Sequence, residues 1–311
     1  MAHAGIYVSR FLALVVSVFL MIQNVTAVYD ITRNDNLAVY WGQDGSGKQK
    51  DISAYCQDDT IDNIIIAFLD VFRGAGGEPE INLANTCSSS GGPVFSGTNL
   101  ADCSFMAPQI KACQKNGKIV TLSLGGADSR PGFSSDSQAQ AFADKIWNSF
   151  LGGSGAPRPF GNAVLDGVDL DIEQGAPSGY AAFVNQIRAH AKGFSKRFYV
   201  TAAPQCPFPD ANIGAALNAA PFDAVYVQFY NNFCGLDQPK EYNFATWDHW
   251  AKTTSANKNI KVYIGAPASK DAAGTGYVDA ATLANYGRQA QKTWSSFGGI
   301  MLWEASLAVG Q

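Results

Sequence analysis

Short apolar segments alternate along the chain with longer segments of helical periodicity. Eight runs rich in Val, Ile, Leu and aromatic residues predict strands, because these side chains favour extended structure. The runs span residues 37–41, 61–68, 118–124, 164–173, 198–203, 223–230, 260–264 and 299–303. Helix-like stretches lie between them at about 105–116, 137–150, 179–193, 211–219, 244–254 and 279–294, with room for a short helix within 48–56.

This alternation of strands and helices predicts an α/β fold with a parallel sheet built from βαβ units. Eight such units fit a single-domain (β/α)8 TIM barrel over residues 28–311. A doubly wound sheet is the alternative, and the lack of a dinucleotide-binding fingerprint makes it the weaker one. Active sites of TIM barrels lie at the C-terminal ends of the strands, so polar residues at those ends become candidates for function.

The first 27 residues differ from the rest of the chain. Arg10 precedes an apolar run over 11–22, and Val25-Thr26-Ala27 offers a small-residue cleavage site. This pattern predicts a secretory signal peptide over 1–27, since the run is too short to span a membrane. The mature protein is therefore expected to be secreted, outside the cell or in the cell wall, with no membrane attachment after cleavage.

Composition and charge narrow the class of protein. An apolar share of 47% and a charged share of 15% are typical of a chain that forms a core. Removing 1–27 takes away Arg10 and no acid, so the net charge of −4 becomes −5, which argues against nucleic acid as a partner. Six cysteines in an exported chain predict three disulfides: Cys56, Cys87, Cys103, Cys113, Cys206 and Cys234. None has C-x-x-C spacing, so no metal site is expected.

The segment Asp166-Gly167-Val168-Asp169-Leu170-Asp171-Ile172-Glu173 carries the most information about function. Acids alternate with apolar residues, which is the period of a strand. Asp169, Asp171 and Glu173 are therefore expected to share one face, with Glu173 nearest the C-terminal end. A row of carboxylates has no packing purpose, because charged residues are rarely buried without partners. A catalytic role is favoured over a polar edge strand or a calcium site, since calcium loops are flexible turns.

Other strand ends carry side chains that suit a sugar. Aromatic faces stack on sugar rings and amides bind hydroxyl groups, and the candidates are Tyr40, Gln43, Phe68, Gln228, Tyr230 and Trp303. Most glycosidases place two carboxylates on opposite sides of the sugar, whereas these acids come from one strand. A 2-acetamido group of the substrate could then act as the nucleophile, with Asp171 holding its N–H, Tyr230 its oxygen, and Glu173 protonating the leaving group.

These residues resemble the family 18 glycoside hydrolases of the hevamine type, the class III chitinases of plants and fungi. The resemblance runs from Leu37 to Trp303. Its segments are Tyr40-Trp41-Gly42-Gln43, Ile66-Ala67-Phe68-Leu69, Leu122-Ser123-Leu124-Gly125-Gly126, the Asp166–Glu173 motif, Ala202-Ala203-Pro204-Gln205-Cys206-Pro207-Phe208-Pro209-Asp210, Gln228-Phe229-Tyr230-Asn231-Asn232 and Met301-Leu302-Trp303.

The resemblance implies a role for each site residue. Glu173 would be the general acid/base, Asp171 the acetamide partner, Asp169 the group that tunes Asp171, and Tyr230 the support of the acetamido carbonyl. Trp303 would form the floor of the reacting subsite, with sugar contacts from Gln43 and Gln228. The resemblance also implies disulfides Cys56–Cys113, Cys87–Cys103 and Cys206–Cys234, and cis peptide bonds at Ala67–Phe68 and Trp303–Glu304. No cofactor and no metal are implied.

The chain departs from the family pattern at two places. Asp44 stands where plant members tend to carry Asn. The sequence also stops eight residues after Trp303, so the barrel is expected to lack its last helix.

The functional prediction is a secreted, monomeric, endo-acting chitinase that hydrolyses chitin or N-acetylglucosamine oligomers by a retaining, substrate-assisted mechanism. An endo-N-acetylglucosaminidase, or an inactive chitin-binding lectin or inhibitor on the same fold, is the alternative.

Overall fold

The computed structural model describes residues 28–308, in which eight parallel strands close into a barrel. Going around the barrel, the order is β1 (Asn36–Trp41), β10 (Phe297–Trp303), β9 (Lys261–Pro267), β8 (Ala224–Gln228), β7 (Tyr199–Ala202), β6 (Gly167–Asp171), β5 (Ile119–Gly125) and β2 (Asn63–Val71). Pairing of β1 with β2 closes the ring, with Ala38 beside Asn63 and Trp41 beside Ile66. The predicted TIM barrel is thereby confirmed and the doubly wound sheet is excluded.

The strands are buried on both faces, as their apolar runs predict. Along β1 and β2 successive side chains enter two different clusters, because neighbouring side chains of a strand point in opposite directions. Tyr40 and Ile65 lie in the cluster inside the barrel. Trp41 and Ile66 lie in the cluster between barrel and helices.

The helices pack around the outside of the barrel. They are α1 (Ile52–Tyr55), α2 (Ala107–Lys115), α3 (Asp136–Phe150), α4 (Tyr180–Ala191), α5 (Gly214–Ala219), α6 (Phe244–Thr253), α7 (Ala280–Thr293) and α8 (Ala305–Ala308). Side-chain caps fix the start of two of them: Ser135 Oγ accepts from the Gln138 amide at 3.2 Å, and Asp279 Oδ1 accepts from the Thr282 amide at 2.7 Å.

Two short strands between β2 and α2 were not anticipated from the sequence. β3 (Glu80–Leu83) pairs antiparallel with the end of β2, and β4 (Cys87–Ser88) pairs antiparallel with β3. Their surroundings are rich in Gly and Ser, so no apolar run marks them, and the pairing with β2 defines them instead. They extend one wall of the barrel above its C-terminal end.

Three disulfides connect the cysteines, as predicted: Cys56–Cys113, Cys87–Cys103 and Cys206–Cys234. Cys206–Cys234 joins the segment after β7 to the segment after β8, at the carboxyl end of the barrel.

The predictions about the two ends of the chain remain largely untested. The predicted signal peptide lies outside the described residues. After β10 the structure describes the four residues of α8, and Leu37 and Leu302 of the adjoining barrel strands are only partly buried. No helix within residues 28–308 combines the length and the apolar character that crossing a membrane requires.

Candidate active site

A cavity of about 230 Å³ opens at the carboxyl end of the barrel. Most of the predicted site residues line it: Tyr40, Gln43, Phe68, Asp171, Glu173, Gln228, Tyr230 and Trp303. They come from β1, β2, β6, β8 and β10 or from the residues that follow these strands. The predicted strand over 164–173 is shorter in the structure, because β6 ends at Asp171 and Glu173 lies in the turn beyond it.

Asp169 lies deepest of the three acids and is completely buried. Its carboxylate accepts hydrogen bonds from Tyr40 Oη at 2.7 Å, Ser123 Oγ at 2.7 Å and Thr201 Oγ1 at 2.8 Å. Burial raises the pKa of Asp169, and these three hydroxyl donors oppose that rise. The three donors come from β1, β5 and β7, so closure of the barrel is what completes the environment of Asp169.

Asp171 and Glu173 form a coupled pair above Asp169. Burial raises the pKa of Asp171 well above its ordinary value, and the nearby charges of Glu173 and Asp169 raise it further. Burial also raises the pKa of Glu173. Hydrogen bonding opposes this rise, and the largest opposing contribution comes from Gln228. Gln228 Nε2 donates to Asp171 Oδ1 at 2.8 Å and to Glu173 Oε1 at 3.4 Å. The pair therefore retains a proton at a pH at which isolated carboxyl groups are ionised.

An aromatic surface lies across the barrel from these acids. The Phe68 and Trp303 rings are stacked with centroids 5.7 Å apart, and Tyr40 meets the Trp303 ring at 5.5 Å. Gly126 makes room for Phe68, because a Cβ there would lie 2.9 Å from the Phe68 ring. The Ala67–Phe68 and Trp303–Glu304 peptide bonds are cis, as the resemblance implied.

Tyr230 lies in the cavity wall two residues after β8, with its side chain almost entirely buried. Burial raises the pKa of its hydroxyl well above the ordinary value, and the neighbouring Asp171 and Glu173 add to the effect. The phenol is therefore protonated across the physiological pH range and is available as a hydrogen-bond donor.

The loop after β1 is held in place by contacts with the end of β10. The Gly45 amide donates to Glu304 Oε1 at 3.1 Å, and the Ser46 amide donates to Ser306 Oγ at 3.1 Å. Asp44 accepts from the Gln49 backbone amide at 2.7 Å and from Asn85 Nδ2 at 2.9 Å, so its carboxylate stabilises the conformation of this loop.

Two of the predicted sugar contacts also have partners within the protein. Gln43 Nε2 donates to the carbonyl oxygens of Ala67 and Asn82 at 2.8 and 2.9 Å, which fixes its amide at the cavity wall. The Tyr40 hydroxyl donates to Asp169. Tyr40 therefore offers the cavity its aromatic ring, while its hydroxyl group stabilises the Asp169 carboxylate.

Sequence reasoning missed several residues of the site. Asp70, Asn82, Asp128 and Ser129 line the cavity from the ends of β2 and β5 and from β3. Gln205, after β7, lies close enough to Glu173 to lower the pKa of its carboxyl group. Asp70 and Asp128 follow the apolar runs 61–68 and 118–124 within a few residues, which was a usable signal, whereas the position of Asn82 depends on the unanticipated strand β3.

Within residues 28–308, no group of three or more His, Cys, Asp or Glu side chains has an arrangement suited to a metal ion. Asp169 accepts from hydroxyl donors, and Asp171 and Glu173 accept from the amide of Gln228.

A (β/α)8 barrel with these acids at the end of β6 and an indole at the end of β10 indicates a glycoside hydrolase. The model of the glycosyl hydrolases family 18 matches residues 36–296, and the chain belongs to this family.

Individual relatives agree with the predicted resemblance to class III chitinases. The chain is 48% identical over 301 residues to chitinase 2 of Rhizopus oligosporus, covering 96% of this chain and 54% of that protein. It is 40% identical over 309 residues to a class III chitinase of Arthroderma benhamiae, covering 94% and 87%. A solved xylanase and alpha-amylase inhibitor of Scadoxus multiflorus is 34% identical with a TM-score of 0.74, covering 88% and 93%. The chain spans about half the length of most curated relatives that it matches.

Proposed function

We propose that this chain is the catalytic domain of a secreted, endo-acting chitinase that cleaves β-1,4-linked N-acetylglucosamine polymers with retention of configuration. The observation that carries the mechanism is the position of Trp303. Its strand, β10, lies four strands from β6 in either direction around the barrel, so the wall that faces Asp171 and Glu173 is an indole. Asp70 and Asp128 lie on the β2 and β5 flank, so neither faces the pair from behind the sugar.

With no carboxylate opposite the pair, the substrate's own acetamido oxygen is the nucleophile. It attacks the anomeric carbon, the glycosidic bond breaks, and the leaving oxygen takes the proton of Glu173. Asp171 accepts the acetamido N–H and so stabilises the positive charge that develops on the cyclic intermediate, and the Tyr230 hydroxyl donates to the acetamido oxygen and holds it in position for attack. A water molecule then attacks the anomeric carbon, the bond from this carbon to the acetamido oxygen breaks, and the water gives its proton to Glu173, which restores both the acetamido group and the acid. Asp169, below the pair, keeps negative charge close to Asp171, and the Trp303 ring supports the reacting sugar.

Activity should fall on the alkaline side of the pH profile at a pH above the ordinary carboxyl range. The reaction needs a protonated Glu173. Because burial raises the pKa of both Glu173 and Asp171, the proton dissociates at a higher pH than from a free glutamic acid, whose pKa is about 4.3. The measurement is kcat/KM on an N-acetylglucosamine oligomer from pH 3 to pH 9. An alkaline limb that begins near pH 4 would contradict a raised pKa of the pair.

Replacing Tyr230 with phenylalanine should lower kcat about a hundredfold, which is the scale of the loss when a reacting atom is no longer held in position for attack. The ring and its burial are kept, so the variant isolates the hydroxyl group. Steady-state kinetics on the hexamer of N-acetylglucosamine measure the effect, and Tyr242→Phe is a matched control on a phenol whose hydroxyl oxygen is buried outside the cavity. A raised KM with an unchanged kcat would restrict Tyr230 to binding.

The function itself is tested by product analysis. The hexamer of N-acetylglucosamine should be cut into shorter oligomers, whereas a high-mannose glycoprotein should remain intact. Release of the glycan instead would favour the endo-N-acetylglucosaminidase. Tight chitin binding without any product would favour the inactive lectin or inhibitor, a reading prompted by the Scadoxus inhibitor on the same fold.

A further inference from the structure

One buried acid near the site has no part in the proposed reaction. Asp210 ends the segment 202–210, which follows β7 and carries part of the family resemblance, and the residue is 6% exposed. Its carboxylate accepts three backbone hydrogen bonds: Oδ2 from the Gln205 amide at 2.9 Å, and Oδ1 from the Asn212 and Ile213 amides at 2.8 and 2.7 Å. The two oxygens therefore fix two different parts of the loop, the turn that leads into α5 and the residues just beyond β7.

The residues that Asp210 fixes beyond β7 are the ones that hold Gln228. Gln205 pairs with Gln228 in a parallel β-bridge. The Gln228 amide donates to the carbonyl oxygen of Pro204 at 2.8 Å, and the Cys206 amide donates to the carbonyl oxygen of Gln228 at 3.2 Å. The side chain is held as well, because Gln228 Nε2 donates to the carbonyl oxygen of Ala203 at 3.0 Å. One short segment thus fixes both the backbone and the side chain of Gln228.

The amide of Gln228 is shared between more acceptors than it can fully serve. Nε2 carries two N–H bonds, and three acceptors surround it: the carbonyl oxygen of Ala203, Asp171 Oδ1 at 2.8 Å and Glu173 Oε1 at 3.4 Å. A small shift of this amide therefore changes how the two acids are held. Asp210 is also close to the pair, because its charge adds to the rise that burial causes in the pKa of Asp171 and Glu173.

We propose that Asp210 is a positioning residue for the reaction, which fixes the backbone at Gln205 and thereby holds Gln228 in register with Asp171 and Glu173. This inference rests on the chitinase function proposed above. Asp210 is not among the residues that line the cavity, so it acts through Gln228 and does not touch the substrate. The Cys206–Cys234 disulfide also holds this loop, so loss of the contact between Asp210 and Gln205 affects alignment more than folding.

Two substitutions remove the contact to Gln205 and keep the turn before α5. Asp210→Asn retains one acceptor oxygen for the Asn212 and Ile213 amides, and its NH2 group then faces the Gln205 amide, a donor against a donor. Asp210→Ser likewise keeps a single oxygen, which suits the turn amides. Each variant should lower kcat on the N-acetylglucosamine hexamer about tenfold, because displaced reacting groups slow the chemical step. KM should stay within about threefold, since the sugar contacts of the cavity remain.

A double-mutant cycle tests whether Asp210 acts through Gln228. Gln228→Leu removes the amide and keeps a side chain of similar size. In that background Asp210→Asn should change kcat less than about twofold, because the group through which it acts is gone. Each kcat is measured at the pH optimum of that variant, so that a shift of the pH profile caused by the lost charge of Asp210 is not counted.

Asp62→Asn is the matched structural control at the opposite end of the barrel. Asp62 is 8% exposed, and its Oδ2 accepts from the Leu37 amide at 2.9 Å just before β2. This variant should lower the melting temperature and leave kcat unchanged.

An unchanged kcat in both Asp210 variants would overturn the positioning role, and so would an equal loss from Asp210→Asn with and without Gln228. A raised KM with an unchanged kcat would overturn it too. Failure of the wild-type protein to cleave the hexamer would instead overturn the proposed function, so the two results are distinguishable.

Discussion

Replacing Glu173 with glutamine should lower turnover of N-acetylglucosamine oligomers by several orders of magnitude while leaving chitin binding intact. The amide has the size of the carboxyl group but cannot give up a proton to the leaving oxygen. No other carboxyl group lining the cavity replaces it, because Asp171 is occupied by the acetamido N–H in the proposed mechanism, and Asp70 and Asp128 line the β2 and β5 flank. The measurement is kcat on the hexamer together with binding of the same hexamer by calorimetry.

The variant also allows a check that the fold is undamaged. Burial raises the pKa of Glu173, so this carboxyl group favours the folded state only while protonated, and that contribution is lost as pH rises through the folded pKa. Removing the ionisable group should therefore leave the melting temperature unchanged near pH 4 and equal or higher at pH 8. Glu241→Gln, on an exposed glutamate, is the matched control. Turnover within tenfold of wild type would remove Glu173 from its proposed role.

Fully deacetylated chitosan hexamer and cellohexaose should give no detectable product under conditions that degrade the N-acetylglucosamine hexamer completely. Both fit the same groove in shape, but neither carries an acetamido group that can attack the anomeric carbon. The loss should be as large as that of Glu173→Gln, because the nucleophile itself is missing. Products are followed by NMR, which also reports the configuration of the first-formed anomer.

The anomer gives a second, independent result. Two successive displacements at one carbon retain configuration, so the first product from the N-acetylglucosamine hexamer should be the β-anomer. A thiazoline analogue of the cyclic intermediate should inhibit strongly, since it resembles the species that the site stabilises. Comparable cleavage of the chitosan hexamer, or an inverted first product, would require a carboxylate on the Trp303 side of the sugar.

Much of this architecture follows from local patterns in the sequence. Each of the eight barrel strands was anticipated within a few residues, because runs such as Asn63–Val71 are apolar on both faces. The row of Asp169 and Asp171 inside the barrel followed from the two-residue period of a strand. The boundaries were less accurate where a turn continues the same alternation, as it does from Asp171 to Glu173.

The sequence by itself determined the barrel, the acids and the aromatic strand ends, because period and composition act over a few neighbouring residues. Tertiary structure alone decided that Tyr40, Ser123 and Thr201 converge on Asp169, that Trp303 faces the acid pair, and that β3 extends the cavity wall. It likewise placed Gln228 beside both Asp171 and Glu173. These arrangements depend on which strands are neighbours and in what register, and such contacts join residues too distant in the chain for any local pattern to encode.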